Sequence, residues 1–202
     1  MSVSRVEAFS DGVFAVAITL LVLQFADPGA SQGHLLAALL GQWPLLVTYV
    51  ASFLTVGVIW VNHHTIFSGI RQADRTLQFI NLVLLLFVVL VPYPTQLLAH
   101  YLQSGRPNSS IAAAFYGVVM TGMGIAFQAL VAWAIAHPKL LRPQVDAAKI
   151  RSTLPRYSIG LLVYAASIGL AFVNAWLVVA LYAFSAVYYA FNQLPWTHEE
   201  EE

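Results

Sequence analysis

Residues 5–23 read RVEAFSDGVFAVAITLLVL, and they place Arg5, Glu7, Ser10 and Asp11 at the head of an otherwise apolar segment. An apolar run of about 20 residues can cross a bilayer as a helix. Ionisable groups inside such a run are costly unless they are paired, and they usually face protein or water rather than lipid. The stretch therefore predicts a membrane helix with one polar, protein-facing edge.

The composition indicates an integral membrane protein. The chain has 202 residues, of which 59% are hydrophobic and 9% charged, whereas soluble domains carry about 25% charged residues. Alternating segments of strand length are absent from the sequence, so we expect an all-α fold rather than a barrel. We predict one domain, residues 1–202, with six membrane spans near 6–25, 42–68, 76–101, 111–136, 156–173 and 175–193.

Two segments between or before the spans are less regular. Apolar residues begin near Leu35, ahead of the second span, and Trp43 and Pro44 predict a short interfacial helix that ends before them. Residues 139–155 alternate basic and apolar side chains, which fits a short surface helix and a solvated loop equally well. The acidic end of the chain, HEEEE, is typical of a solvated tail.

The distribution of basic residues predicts the topology. Eight of the nine Lys and Arg residues lie before span one, between spans two and three, or between spans four and five, and only Arg106 lies on the other side. The positive-inside rule then predicts a multi-pass inner-membrane protein with both termini in the cytoplasm. The net charge of zero offers no reason to expect a nucleic-acid partner.

A layer of polar residues is predicted at the cytoplasmic side of the membrane. The block WVNHHTIF, residues 60–67, falls at the same depth as Asp11, and it supplies Trp60, His63 and His64, while Asn81 lies at that depth on span three. Adjacent histidines on a helix cannot both face one ion, so we expect no zinc site. The acids and histidines all have packing explanations, and we therefore do not expect an enzyme.

The opposite edge of the first span carries a different pattern. At about 100° per residue, Val16, Leu20 and Leu23 form a narrow stripe with Thr19 on its flank, whereas Asp11 points away from it. An apolar row of this kind is most often simple helix packing. Its spacing alone does not assign a pore.

The motif Arg5-x-x-x-Phe9-Ser10-Asp11 resembles the RxxxFSD signature of the transmembrane protein 175 family, the lysosomal potassium channels and their bacterial relatives. The following GVFAVAITLLVL and the WVNHHTIF block are also similar to the bacterial members. The resemblance implies six spans per subunit, a homotetramer and a central pore lined by the first span. It also implies that potassium is the permeant ion, that the protein is embedded in the lipid bilayer and that it needs no cofactor.

The resemblance assigns roles to the stripe as well. Val16 would form the narrowest ring of a hydrophobic gate, Leu20 and Leu23 would form further rings, and Thr19 would form a hydroxyl ring that favours potassium, with only transient K⁺ beside it. Apolar rings close a pore by excluding water. Family members commonly carry Ile or Leu where this chain has Val16, so its ring would be wider, and Leu20 or Leu23 remains an alternative gate.

The polar edge is interpreted as a structural latch. In this hypothesis Arg5, Phe9, Ser10 and Asp11 tie the first span to Trp60, His63, His64 and Asn81, and Asp11 is not an ion ligand. A secondary transporter is the alternative function, because six spans divide into two triplets of opposite orientation. Against it, span four has no counterpart of the FSD sequence.

Overall fold

The structure, a computed structural model, describes residues 2–25, 27, 29 and 33–191, with the side chains of residues 149, 153, 154, 156 and 157 left aside. Apart from an isolated bridge between Ile70 and Leu141, this part of the chain contains no β-structure. Its helices are α1 Val3–Val22, α2 Leu35–Gly41, α3 Trp43–Ser68, α4 Arg75–Leu90, α5 Pro92–Tyr101, α6 Asn108–Ala136, a 3₁₀ turn Pro138–Leu140, α7 Ala147–Leu170 and α8 Ala175–Phe191. The all-helical prediction is confirmed.

Three helical stretches are long and apolar enough to cross a membrane within the described residues: Trp43–Ser68, Arg75–Tyr101 and Asn108–Ala136. Two shorter apolar stretches follow, Ser158–Leu170 and Ala175–Phe191. Helix α1 is 20 residues long and carries three charged residues in its first half. The membrane character expected from composition is therefore present in the fold.

The helix boundaries differ from the predicted spans where proline intervenes. The third span, predicted as 76–101, consists of α4 and α5, because Pro92 has no N–H to continue the ladder after Val91. Pro155, in contrast, lies inside α7, which begins at Ala147 rather than near 156. The 139–155 segment is therefore neither of the two forms expected, since it contains the end of the 3₁₀ turn, the bridge residue Leu141 and the first turns of α7.

The ends of the predicted spans are shifted as well. Helix α1 ends at Val22 instead of 25. The short helix predicted ahead of Trp43 is confirmed as α2, which ends at Gly41. Residues 192 and 193, the end of the predicted sixth span, lie outside the described residues, as does the acidic tail.

The core lies between α6 and its neighbours α4, α5, α7 and α8, and α3 packs against α5 and α8. Hydroxyl groups hold part of it together, because Ser52 Oγ lies 2.8 Å from Thr95 Oγ1 and 2.9 Å from the Tyr116 hydroxyl oxygen. These bonds join α3, α5 and α6 in a region where water is excluded. Helix α1 packs on one edge of this core, against α3 and α4.

Candidate functional site

Helix α1 has two unlike faces. Its buried residues recur every three or four positions, the helical period, and they are Val6, Ser10, Phe14, Ala17 and Leu21. On another face the exposed fractions are 54% for Val16, 36% for Leu20 and 73% for Leu23. The stripe identified in the sequence is thus turned away from the rest of the described chain.

Thr19 lies on the exposed face beside Val16. Its Oγ1 donates a hydrogen bond to the Val16 carbonyl oxygen at 2.8 Å. A hydroxyl has one hydrogen and two acceptor lone pairs, so this bond uses the hydrogen and leaves the oxygen as an acceptor. An exposed oxygen of this kind can coordinate a cation.

The outward face continues toward the start of α1, where few other residues of the described chain cover it. Phe9 is 54% exposed, and a Cβ built on Gly12 would meet no atom within 4 Å. The outward surface of α1 is therefore continuous over most of the helix, from Phe9 to Leu23.

A chain of buried hydrogen bonds joins α1, α3 and α4. Asn81 Nδ2 donates to Ser10 Oγ at 2.9 Å, and Ser10 Oγ donates to the Val6 carbonyl oxygen at 2.8 Å. His63 Nε2 lies 2.8 Å from Asn81 Oδ1. Because an amide oxygen only accepts, His63 Nε2 carries the hydrogen, and every donor in the chain points toward α1.

His63 is held by rings as well as by this bond. Its ring centroid lies 4.4 Å from that of Phe67 and 5.3 Å from that of Phe14. The side chain is completely buried, and its Nδ1 has no hydrogen-bond partner among the described residues. This histidine is packed in the interior of the fold, between α1, α3 and α4.

Two polar pairs connect α1 to α3 nearer the surface. Trp60 Nε1 donates to Asp11 Oδ1 at 2.8 Å, and His64 Nδ1 lies 2.9 Å from Glu7 Oε1. Glu7 and Asp11 are one helical turn apart, as are Trp60 and His64, so the two pairs form successive rungs between antiparallel helices.

The structure brings together most, but not all, of the polar residues singled out in the sequence. Asp11 contacts Trp60, one of the four residues named as partners in the latch hypothesis. Arg5 is exposed, and within the described residues its side chain has neither a hydrogen bond nor an ion pair. Sequence reasoning missed the pairing of Glu7 with His64, although the matching i, i+4 spacing on two antiparallel helices was a usable signal.

The described residues contain no group of three or more His, Cys, Asp or Glu side chains that could hold a metal ion. The candidate site is therefore the outward face of α1 together with the polar contacts that orient it. Such an arrangement offers a row of methyl groups and one hydroxyl to whatever lies beside it.

The fold and the site together define a class of protein. It is a helical membrane protein in which polar contacts hold one helix and an apolar stripe on that helix faces outward. The family model described as "Endosomal/lysosomal potassium channel TMEM175" matches residues 5–92. A potassium channel of Streptomyces collinus is 50% identical over 192 residues, which cover 95% of this chain and 93% of that protein. The chain belongs to the TMEM175 family, as its motif predicted.

Two comparisons with Chamaesiphon minutus agree. A potassium channel of that organism is 37% identical over 189 residues, covering 92% of each chain. The crystal structure of a lysosomal potassium-selective channel TMEM175 homolog from the same organism superposes with a TM-score of 0.82 at 34% identity, covering 94% of this chain and 97% of that one.

Proposed function

We propose that this protein is a potassium-selective channel of a bacterial inner membrane. It crosses the membrane six times with both termini in the cytoplasm, and it assembles as a homotetramer whose four copies of α1 surround the pore. Potassium passes down its gradient without coupling to another reaction. The full-length similarity to two proteins named potassium channels supports this proposal.

The observation that carries the proposal is the outward face of α1. Exposed apolar residues are ordinary in a membrane protein, but α1 also has its opposite edge bonded to both α3 and α4. Those bonds determine the rotation of the helix, and Thr19, the hydroxyl-bearing residue of the stripe, is then exposed. Four such faces around one axis would enclose a narrow apolar passage.

The residues of the stripe have separate roles in this passage. Val16 forms the narrowest ring, and Leu20 and Leu23 form further rings that exclude water when the pore is closed. Leu23 is the C-cap of α1, so its ring stands at the end of the helix. The Thr19 oxygen, which keeps its acceptor lone pairs, replaces part of the hydration shell of K⁺.

The polar edge works as a latch in the same mechanism. Ser10 and Asp11 tie α1 to Asn81 and Trp60, and the rings of Phe14 and His63 fill the space between the helices. His64 contributes through Glu7, whereas Arg5 and Phe9 are exposed and lie outside the network that the described residues form, which corrects their place in the latch hypothesis. None of these residues coordinates the permeant ion.

Potassium flux into liposomes tests the gate. We expect Val16→Ala to raise passive K⁺ flux because it widens the tightest ring, and Leu20→Ala and Leu23→Ala to raise it less. Val22→Ala is the matched control, since Val22 is 50% exposed on the same helix but points away from the stripe. Equal effects of Val16→Ala and Val22→Ala would contradict the gate, and a flux that requires a proton gradient would favour the secondary transporter.

Thr19 is tested by the same assay with K⁺ and Na⁺ gradients in parallel. Thr19→Val keeps the shape of the side chain but removes the oxygen, so we expect the preference for K⁺ over Na⁺ to fall. Thr19→Ser keeps the oxygen and is expected to retain most of that preference. If Thr19→Val leaves the K⁺ to Na⁺ flux ratio at the wild-type value, the hydroxyl has no part in selectivity.

A further inference from the structure

Three basic residues meet where the loop between α3 and α4 pairs with the segment after α6. Arg71 N donates to the Leu140 carbonyl oxygen at 2.7 Å, and Arg142 N donates to the Gly69 carbonyl oxygen at 2.9 Å. The Arg71 guanidinium also donates to the Lys139 carbonyl oxygen at 3.2 Å. Backbone bonds thus hold Arg71, Lys139 and Arg142, the basic cluster, close together in spite of their like charges.

The register of this pairing turns the cluster outward. Ile70 and Leu141, the bridged residues, are buried in the core. Side chains alternate between the two faces of an extended pairing, and Arg71 and Arg142, one position away from the bridge, are exposed. Lys139 is exposed as well.

Carboxylates of the described residues do not neutralise this cluster. Asp74, the acid nearest to Arg71 in the chain, accepts from Leu77 N at 2.7 Å and from Trp133 Nε1 at 3.1 Å. Within the described part of the chain, no side chain of the basic cluster forms an ion pair with an acid. Three adjacent cations are therefore left to interact with an anion from outside the chain.

Arg75 indicates the level of the cluster relative to the membrane. It is the first residue of α4, and its guanidinium carbon lies 5.6 Å from the ring centroid of Phe79, one turn further into the helix. Phe79 is 56% exposed on a helix that is long and apolar enough to span a bilayer. An arginine at the first residue of such a helix has its charge at the headgroup region, and Arg71 lies four residues before it.

We propose that the basic cluster binds the phosphate group of an anionic phospholipid at the cytoplasmic leaflet. A guanidinium group can donate two parallel hydrogen bonds to the oxygens of one phosphate, and Lys139 adds a compact positive charge. The phosphodiester comes from a lipid rather than from solution because the cluster lies at the headgroup level. This inference rests on the membrane orientation given under the proposed function, in which residues 69–75 and 138–142 face the cytoplasm.

Native mass spectrometry of the full chain in detergent, titrated with phosphatidylglycerol or phosphatidylcholine, tests the site. We expect wild-type protein to bind phosphatidylglycerol preferentially. Each basic residue near an anionic surface contributes about a fivefold change in affinity, so Arg142→Gln should weaken that binding about fivefold and Lys139→Gln/Arg142→Gln about 25-fold. Arg106→Gln removes one positive charge from the opposite side and should leave it unchanged.

Several results would overturn the proposal. Equal binding of the two lipids would be one, and equal losses of lipid affinity in Arg142→Gln and Arg106→Gln would be another. Displacement of the lipid by millimolar inorganic phosphate would assign the site to a soluble anion. Thermal unfolding of each variant shows that the protein remains folded. Lipid binding is read without ion flux, so a protein that binds phosphatidylglycerol but passes no K⁺ would refute the proposed function and leave this inference standing.

Discussion

Replacing Asn81 by Ala is the sharpest test of how α1 is held. The side chain is 1% exposed and makes two hydrogen bonds, one with His63 and one with Ser10. Its loss leaves the buried His63 N–H without an acceptor, which costs about 1–3 kcal/mol. The lost bond between α4 and α1 adds about 0.6 kcal/mol, the average for such bonds in a membrane. We therefore expect a destabilisation of about 1.6–3.6 kcal/mol.

A double-mutant cycle separates this chain of bonds from a general packing defect. Ser10→Ala alone removes the acceptor of Asn81 Nδ2, but in the Asn81→Ala background that donor is already absent. The second substitution should then cost less than it does alone, by about 0.5–2 kcal/mol. Ser185→Ala is the matched control, because Ser185 is buried and, among the residues that the structure describes, its hydroxyl bonds only to the Leu181 carbonyl oxygen of its own helix.

The assay is unfolding of the purified chain by sodium dodecyl sulfate in mixed micelles, followed by tryptophan fluorescence. We expect Ser185→Ala to cost no more than about 0.5–1.5 kcal/mol, the net contribution of one hydrogen bond. The reasoning is refuted if Ser10→Ala and Asn81→Ala add within about 0.3–0.5 kcal/mol, or if Asn81→Ala costs no more than Ser185→Ala. Under the proposed function, Asn81→Ala should also raise K⁺ leak, because α1 is no longer held in one rotation.

The same unfolding assay tests two other contacts. Trp60→Phe removes the N–H that donates to Asp11. Because both side chains are partly exposed, we expect this loss to cost no more than about 1 kcal/mol of stability. A larger cost than that of Asn81→Ala would show that the Trp60 contact, and not the Asn81 contact, is the stronger of the two. Gly117→Ala would place a Cβ 2.9 Å from Ser167 Oγ, and this overpacking should cost about 1–3 kcal/mol. Gly169→Ala, with no atom within 4 Å, should be neutral or slightly stabilising, and equal results for the two glycines would contradict the packing argument.

Periodicity was sufficient to predict the two faces of α1. Val16, Leu20 and Leu23 repeat at helical spacing, and Asp11 lies away from them, so the exposed stripe and the polar edge both follow from 100° per residue. Depth matching between antiparallel spans also placed Trp60 and His63 near the first helix. These inferences succeed because each depends on one helix or on one pair of neighbouring helices.

The exact partners could not be predicted in the same way. Which of His63 and His64 turns toward α4 depends on the rotation of α3, and that rotation is set by the packing of the whole bundle. The pairing of Gly69 with Arg142 joins segments more than 70 residues apart, for which the sequence contains no periodic signal. The effect of proline on the helix boundaries could not be predicted for a similar reason, since Pro92 separates two helices in this fold while Pro155 lies within one.

The polar residues at the head of α1 explain how one helix can combine a charged start with an apolar stripe. A helix with apolar residues on every face gains nearly the same contacts in many rotations, because lipid tails and Leu side chains are alike. Ser10 and Asp11 remove that freedom, since only one rotation brings them to Asn81 and Trp60. If the stripe lines a shared pore, the residues that orient Val16 toward the pore axis are therefore residues that do not contact the ion.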